Sequence, residues 1–168
     1  DVGLHVELDE ASPRGVCGQL VAVLVGLQSH DAGLQPQRQV LGHHGDVVAL
    51  AAQMVGMAEL LIVAQKAGAD PQKVVQAIKG GAAQCWALDI KPPRLLDGNR
   101  QPGFKAYQQA KDLNIVLDTA REYGVPVPGT SANTQLFSAM LEMGMGDLDN
   151  SAVLGVIEAL AGETLKTD

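Results

Sequence analysis

The sequence predicts an all-α fold, a multi-helix domain built round one long buried helix. Apolar residues recur at steps of three and four in every readable segment after residue 45, and no segment shows the strict alternation of a half-buried strand. Glycine and proline punctuate these runs at helix-length spacing. At 168 residues the chain is long enough for one core burying about 70% of its unfolded surface. Residues 1–45 have neither pattern nor aromatic anchor and read as a leader or poorly ordered segment of unclear origin. The helical domain is assigned to 46–168.

The long helix opens at Asp46, an expected N-cap, and stops at Gly68. Between them Val47, Val48, Leu50, Ala51, Met54, Val55, Met57, Ala58, Leu60, Leu61, Ile62 and Val63 leave almost no polar face, as in a helix buried on most sides. Asp70-Pro71 pairs an N-cap with a proline at the first helical position and opens a short helix that Gly80-Gly81 stops. A second short helix is expected from Gln84 to Ile90, broken by Pro92-Pro93, then one helical turn over 94–96. Pro102-Gly103 make a turn into a helix over about 104–123, with Ala106, Ala110, Leu113 and Leu117 inward and Gly124 as its stop. After the extended Val125-Pro126-Val127-Pro128 connector, a helix from Gly129 carries Ala132, Leu136, Ala139, Met140 and Met143 on one stripe. Asp149 or Asn150 caps a last helix with Val153, Val156, Ile157 and Leu160 facing inward and Gly162 ending it.

All five aromatics, Trp86, Phe104, Tyr107, Tyr123 and Phe137, fall between 86 and 137, so the best-specified core is expected there, with Trp86 as an anchor rather than a stacking platform. A net charge of -7 and a pI near 4.9 argue against a nucleic-acid or anionic-membrane surface. Cys17 and Cys85 lie far apart without a CxxC pairing, which points to structural thiols and a reducing cytoplasm. The apolar run over 20–27 is too short for a membrane span and follows no basic region. His43 and His44, with His5 and His30, lack ligand spacing, so no metal is expected. The chain opens on Asp1 without a methionine, which suggests a truncated or partial reading frame.

Lys111 and Asp112 place two opposite charges side by side in mid-helix. By residue chemistry alone they read as solvated surface charges. A series of motifs gives them another reading: Gly80-Gly81-Ala82-Ala83-Gln84-Cys85-Trp86, Pro93-Arg94-Leu95-Leu96, Pro102-Gly103-Phe104, Lys111-Asp112-Leu113 and Gly124-Val125-Pro126-Val127-Pro128. In this order, over roughly residues 58–162, the chain resembles the C-terminal domain of the β-hydroxyacid dehydrogenases, the family of the 2-hydroxy-3-oxopropionate reductases and 3-hydroxyisobutyrate dehydrogenases. The resemblance implies an all-α domain like that of the 6-phosphogluconate dehydrogenase-like enzymes, which closes over NAD or NADP and a short oxo or hydroxy acid and supplies a homo-oligomer interface. It further implies that Lys111 contacts the dinucleotide and that Phe104 and Asp112 line the site.

The resemblance also implies what the chain lacks. No GxGxxG follows a strand-like run, so the Rossmann half of the cofactor site is not recognised in the sequence. Against the family pattern GxxGxxxKxxNQ, residues 42–53 match both glycines and Gln53, but the lysine falls on Ala49 and the asparagine on Ala52. In that register the chain carries no catalytic lysine and is expected to be inactive alone. Two functions follow: a fragment of an NAD(P)-dependent oxidoreductase, or a non-catalytic helical domain that self-associates.

Overall fold

The computed structural model describes residues 35–167, with side chains from residue 41. Expectations for residues 1–34, including Cys17, His5, His30 and the run over 20–27, lie outside the described residues. The helices are α1 (Gln35–Lys66), α2 (Pro71–Ile78), α3 (Trp86–Leu96), α4 (Ala106–Glu122), α5 (Pro128–Glu142) and α6 (Leu154–Ala161), with a 3-10 turn over Asn150–Val153. The fold is all-α. Among the described residues the only β pairing is an isolated antiparallel bridge between Lys105 and Asp149.

Helix α1 is the pillar, and every other helix and the 3-10 turn pack on it. Its 32 residues span about 48 Å. The expected start at Asp46 is corrected: the helix begins at Gln35 and Asp46 lies within it, exposed. Gly42 and Gly45 cost only about 1 kcal/mol each inside a helix, so neither ends it once its neighbours favour helix. The expected division of the chain at 45/46 therefore falls within α1. Length and apolarity alone would let Leu41–Lys66 cross a membrane, but half of its most apolar window is buried against the other helices, which accounts for the composition.

The core gathers Ala51, Met54, Ala58 and Leu61 of α1 with Leu95, Leu113, Phe137, Met140 and Leu154, all fully buried. Asp70 caps α2 as expected, accepting from the N–H groups of Gln72 and Lys73. Gly162 ends α6 in the left-handed region, with φ at 60°.

Several expectations are corrected. Trp86 is 55% exposed and is not a core anchor. As the first residue of α3 it lies against Lys91, whose ammonium is 5.5 Å from the ring centroid. The aromatic cluster reduces to Phe137, since Tyr107 and Tyr123 are also exposed. Pro92 and Pro93 stand inside α3 instead of breaking it. Buried Ala87, Leu88, Pro92, Leu95 and Leu96 hold the helix together where the missing N–H groups weaken it. In α5 the buried stripe is Thr130, Thr134, Phe137 and Met140, and Ala132 and Met143 are exposed. Thr134 donates its hydroxyl to the Thr130 carbonyl, which offsets the cost of burying it. Leu160 and Val63, both expected inward, are 74% and 65% exposed.

Replacing Phe137 by alanine is expected to cost about 3–5 kcal/mol, because a void is left among fixed neighbours. Trp86→Ala should cost about 1 kcal/mol, mostly the lost ring-ammonium contact. Urea unfolding of the two variants measures both, and the order of the two costs checks the corrected core.

Candidate functional site

The polar residues that position the site begin with Asp149, which stands between the 102–105 loop, α3 and the 3-10 turn. Its carboxylate is 1% exposed and its partner Lys91 is 3% exposed. Oδ1 accepts from Lys91 Nζ at 2.7 Å, from the Ser151 hydroxyl at 2.6 Å and from the Ser151 N–H at 3.1 Å. Oδ2 accepts from the Gly103 N–H at 2.8 Å, with the Arg94 guanidinium 3.9 Å away. Burial by itself pushes this carboxyl up, but the hydrogen bonds from Lys91, Ser151 and Gly103 outweigh it and hold Asp149 down from the ordinary 3.8 to about 2.

Lys91 also donates to Asn150 Oδ1 at 3.2 Å, and Asn150 Nδ2 donates to Gln109 Oε1 at 3.1 Å. Gln109 is fully buried, and its amide donates to the Val47 carbonyl of α1 at 3.0 Å. This chain of bonds runs from α3 through the 3-10 turn and α4 into α1. It fixes how α4 lies along the pillar.

One turn on in α4 and one turn back in α1 is the charged cluster. Asp112 is buried, and Oδ1 lies 2.7 Å from Lys111 Nζ while Oδ2 lies 3.6 Å from His43 Nε2. Lys111 and His43 are both exposed, so the carboxylate anchors two cationic or proton-carrying groups that open to solvent. Phe104 is half-buried in the loop before α4, with its carbonyl accepting from the Asn150 N–H at 2.8 Å. It is separated along α4 from Lys111 and Asp112 by about two turns. The structure thus joins Lys111 and Asp112 and adds His43, while Phe104 belongs to the Asp149 end. Ala49 is half-buried and Ala52 exposed on α1. Among the described residues no three His, Cys, Asp or Glu side chains gather as metal ligands.

Sequence reasoning did not single out Lys91, Gln109, Asp149 beyond a cap, or His43 outside a metal site. Only the Asp149 cap had a local signal, and it does cap the 3-10 turn.

The model of a family described as the NAD-binding part of NADP-dependent 3-hydroxyisobutyrate dehydrogenase matches residues 47–157, from the α1 face that receives Gln109 to α6. This chain belongs to the 3-hydroxyisobutyrate dehydrogenase family. Within the family, it is 39% identical over 97 residues to an uncharacterised oxidoreductase of Bacillus subtilis, covering 58% of this chain and 34% of that protein. It is 34% identical over 118 residues to the 2-hydroxy-3-oxopropionate reductase of Escherichia coli, covering 70% of this chain and 40% of that protein. Mycobacterium tuberculosis 3-hydroxyisobutyrate dehydrogenase, solved with L-serine, superposes with a TM-score of 0.64 at 26% identity, covering 70% of this chain and 42% of that one. The chain thus spans less than half the length of these relatives.

The family's cofactor is NAD(P), and the donor set fits one edge of it. The Lys111 ammonium and the His43 imidazole suit a phosphate or carboxylate group, whereas no glycine-rich pyrophosphate cradle stands among the described residues. When bound, the nicotinamide supplies a hydride.

Because Asp149 is held below its unfolded value, its ionised form adds stability above about pH 4, and that contribution is lost as the pH falls through about 2. The size is about 2 kcal/mol. Urea unfolding between pH 5 and pH 2 should show the gap between the natural protein and Asp149→Asn narrowing by that amount.

Proposed function

We propose that this chain is the helical part of an NAD(P)-dependent oxidoreductase that interconverts a short β-hydroxy acid and its oxo form, and that it needs a Rossmann domain to turn over. The observation that carries this is the Lys111–Asp112 pair: a buried carboxylate holds an exposed ammonium in place at 2.7 Å. A cation held in one position favours an anionic group more than a freely rotating surface lysine does. The family match supports the nicotinamide reading. Relatives named for 2-hydroxy-3-oxopropionate and 2-(hydroxymethyl)glutarate, and the neighbour with L-serine, share a carboxylate with an oxygen-bearing carbon close by. In this reading Lys111 receives a cofactor phosphate or the substrate carboxylate, Asp112 orients Lys111, and Phe104 shields the loop end of the site. A cytoplasmic location accords with the thiol of Cys85, which has no disulfide partner among the described residues.

A second reading, self-association, is favoured by Val63 and Leu160. Lys66 donates to the Ala161 carbonyl at 2.6 Å, which brings the ends of α1 and α6 together and sets these two exposed apolar side chains on neighbouring turns. We propose this face as a homo-oligomer contact, compatible with the dehydrogenase reading.

NADPH or NADH should bind the chain detectably by cofactor fluorescence, and Lys111→Ala should weaken binding by about tenfold while changing stability by less than about 0.5 kcal/mol. Cofactor binding that is indifferent to Lys111 refutes its role. Light scattering on a size-exclusion column should show an oligomer that Val63→Glu with Leu160→Glu returns to monomer.

A further inference from the structure

We propose that His43, steadied by Asp112, exchanges the proton on the substrate oxygen. The inference rests on the dehydrogenase reading and adds to it a residue that the family pattern does not name at this place.

The argument begins with the turn of α1. Gln109 of α4 bonds the Val47 carbonyl, and Asp112, one turn on in α4, meets His43, one turn back in α1. At 3.6 residues per turn, Val47 is about 40° round the axis from His43. Ala49 and Ala52, where the family pattern places its lysine and asparagine, are turned about 240° and 180° from it. The side of α1 that meets the Lys111–Asp112 pair therefore presents His43, and neither alanine.

The protonation chemistry near the pair narrows the choice further. Asp112 is buried with both oxygens engaged, and Lys111 is drawn to Oδ1 at 2.7 Å. His44 is buried in the protein, and Asp46 is exposed one turn along α1. His43 alone combines an open face with a carboxylate on its other nitrogen, and imidazole is the side chain suited to exchanging protons near neutral pH. Asp112 Oδ2 faces Nε2 at 3.6 Å, an ion-pair distance, which leaves Nδ1 as the nitrogen turned away from the carboxylate and assigned to the exchange. In reduction, hydride adds to the carbonyl carbon, the carbonyl electron pair moves to oxygen, and that oxygen takes the proton from Nδ1. The imidazole is left neutral with its remaining hydrogen on Nε2, facing Asp112, and the product is the hydroxy acid. In oxidation, neutral Nδ1 removes the hydroxyl proton while the C–H electron pair leaves as hydride to an oxidised nicotinamide, and the carbonyl forms. Asp112 in this scheme is a positioning residue, and Lys111 holds the carboxylate of the acid.

The test is an NMR titration of the 168-residue chain, labelled in its histidine rings and backbone amides, with glycerate in the presence of NADPH. The His43 ring signals are expected to shift and saturate together with the Lys111 and Asp112 amides. His43→Ala should weaken glycerate binding about fivefold with an unchanged melting temperature, as for one lost hydrogen bond at an exposed site. His43→Lys, which restores a proton donor, should recover binding to within about twofold. An unmoved His43 ring while the Lys111 and Asp112 amides shift overturns the role of His43 and leaves the dehydrogenase reading standing. A lowered melting temperature in His43→Ala without loss of binding makes the residue structural and also overturns it. No shift with either NADPH or glycerate overturns the anion-binding role of Lys111, and the role of His43 falls with it.

Discussion

The architecture depends on one buried ion pair, Lys91 with Asp149. Two charges taken out of water cost several kcal/mol each unless their remaining hydrogen-bonding positions are filled. Here they are filled almost completely: Asp149 receives Lys91, both donors of Ser151 and the Gly103 N–H, and Lys91 spends a second proton on Asn150. The pair therefore serves as a geometric clamp. The loop before α4, the 3-10 turn and the middle of α3 all close on one carboxylate, and the Lys105–Asp149 bridge adds backbone bonds on either side. Trp86, exposed and lying near the Lys91 ammonium, covers that clamp on its open side.

The clamp reaches the functional cluster through Gln109. A glutamine buried in a helix interface carries polar groups that must be matched, and both are: Asn150 donates to its oxygen and its nitrogen finds the spare lone pair of the Val47 carbonyl. Sliding α4 by one residue along α1 would leave this amide unpaired in the core. The register that satisfies Gln109 is also the one that brings Asp112 to His43, so structural polarity and candidate chemistry share a single constraint.

Much of the fold was legible in the sequence because the signals were local. Asp70-Pro71, Gly124 and Gly162 each mark a helix end through the chemistry of a few consecutive residues, and each helix after α1 appears near its expected place. The start of α1 was hidden because Asp46 has the chemistry of an N-cap and the residues before it show no apolar period, although the helix runs through both. The α5 stripe was misread because threonine counts as polar until its hydroxyl is seen to bond the preceding turn. The candidate site was legible only in part. Lys111 and Asp112 are neighbours in a motif, but Lys91 and Asp149 lie 58 residues apart and Gln109 and Val47 lie 62 apart, separations at which no periodicity or spacing rule operates. His43 drew notice for its histidine neighbour, whereas its partner was a carboxylate on another helix.

The same long separations govern how the domain is made. Gln65 near the end of α1 donates to the Glu163 side chain and the Thr164 carbonyl and accepts from the Lys166 N–H, while Leu165 inserts into the core. These bonds close a loop of about a hundred residues, whose entropic cost grows only slowly with length but must be met before the contact is gained. During synthesis α1 emerges before the helices that cover it, with its apolar faces exposed, and the residues that fasten its far end emerge about a hundred residues later. A ribosome adding about 5–20 residues each second leaves that helix without this clasp for several seconds, an interval in which a chaperone or a second nascent chain has the first claim on it.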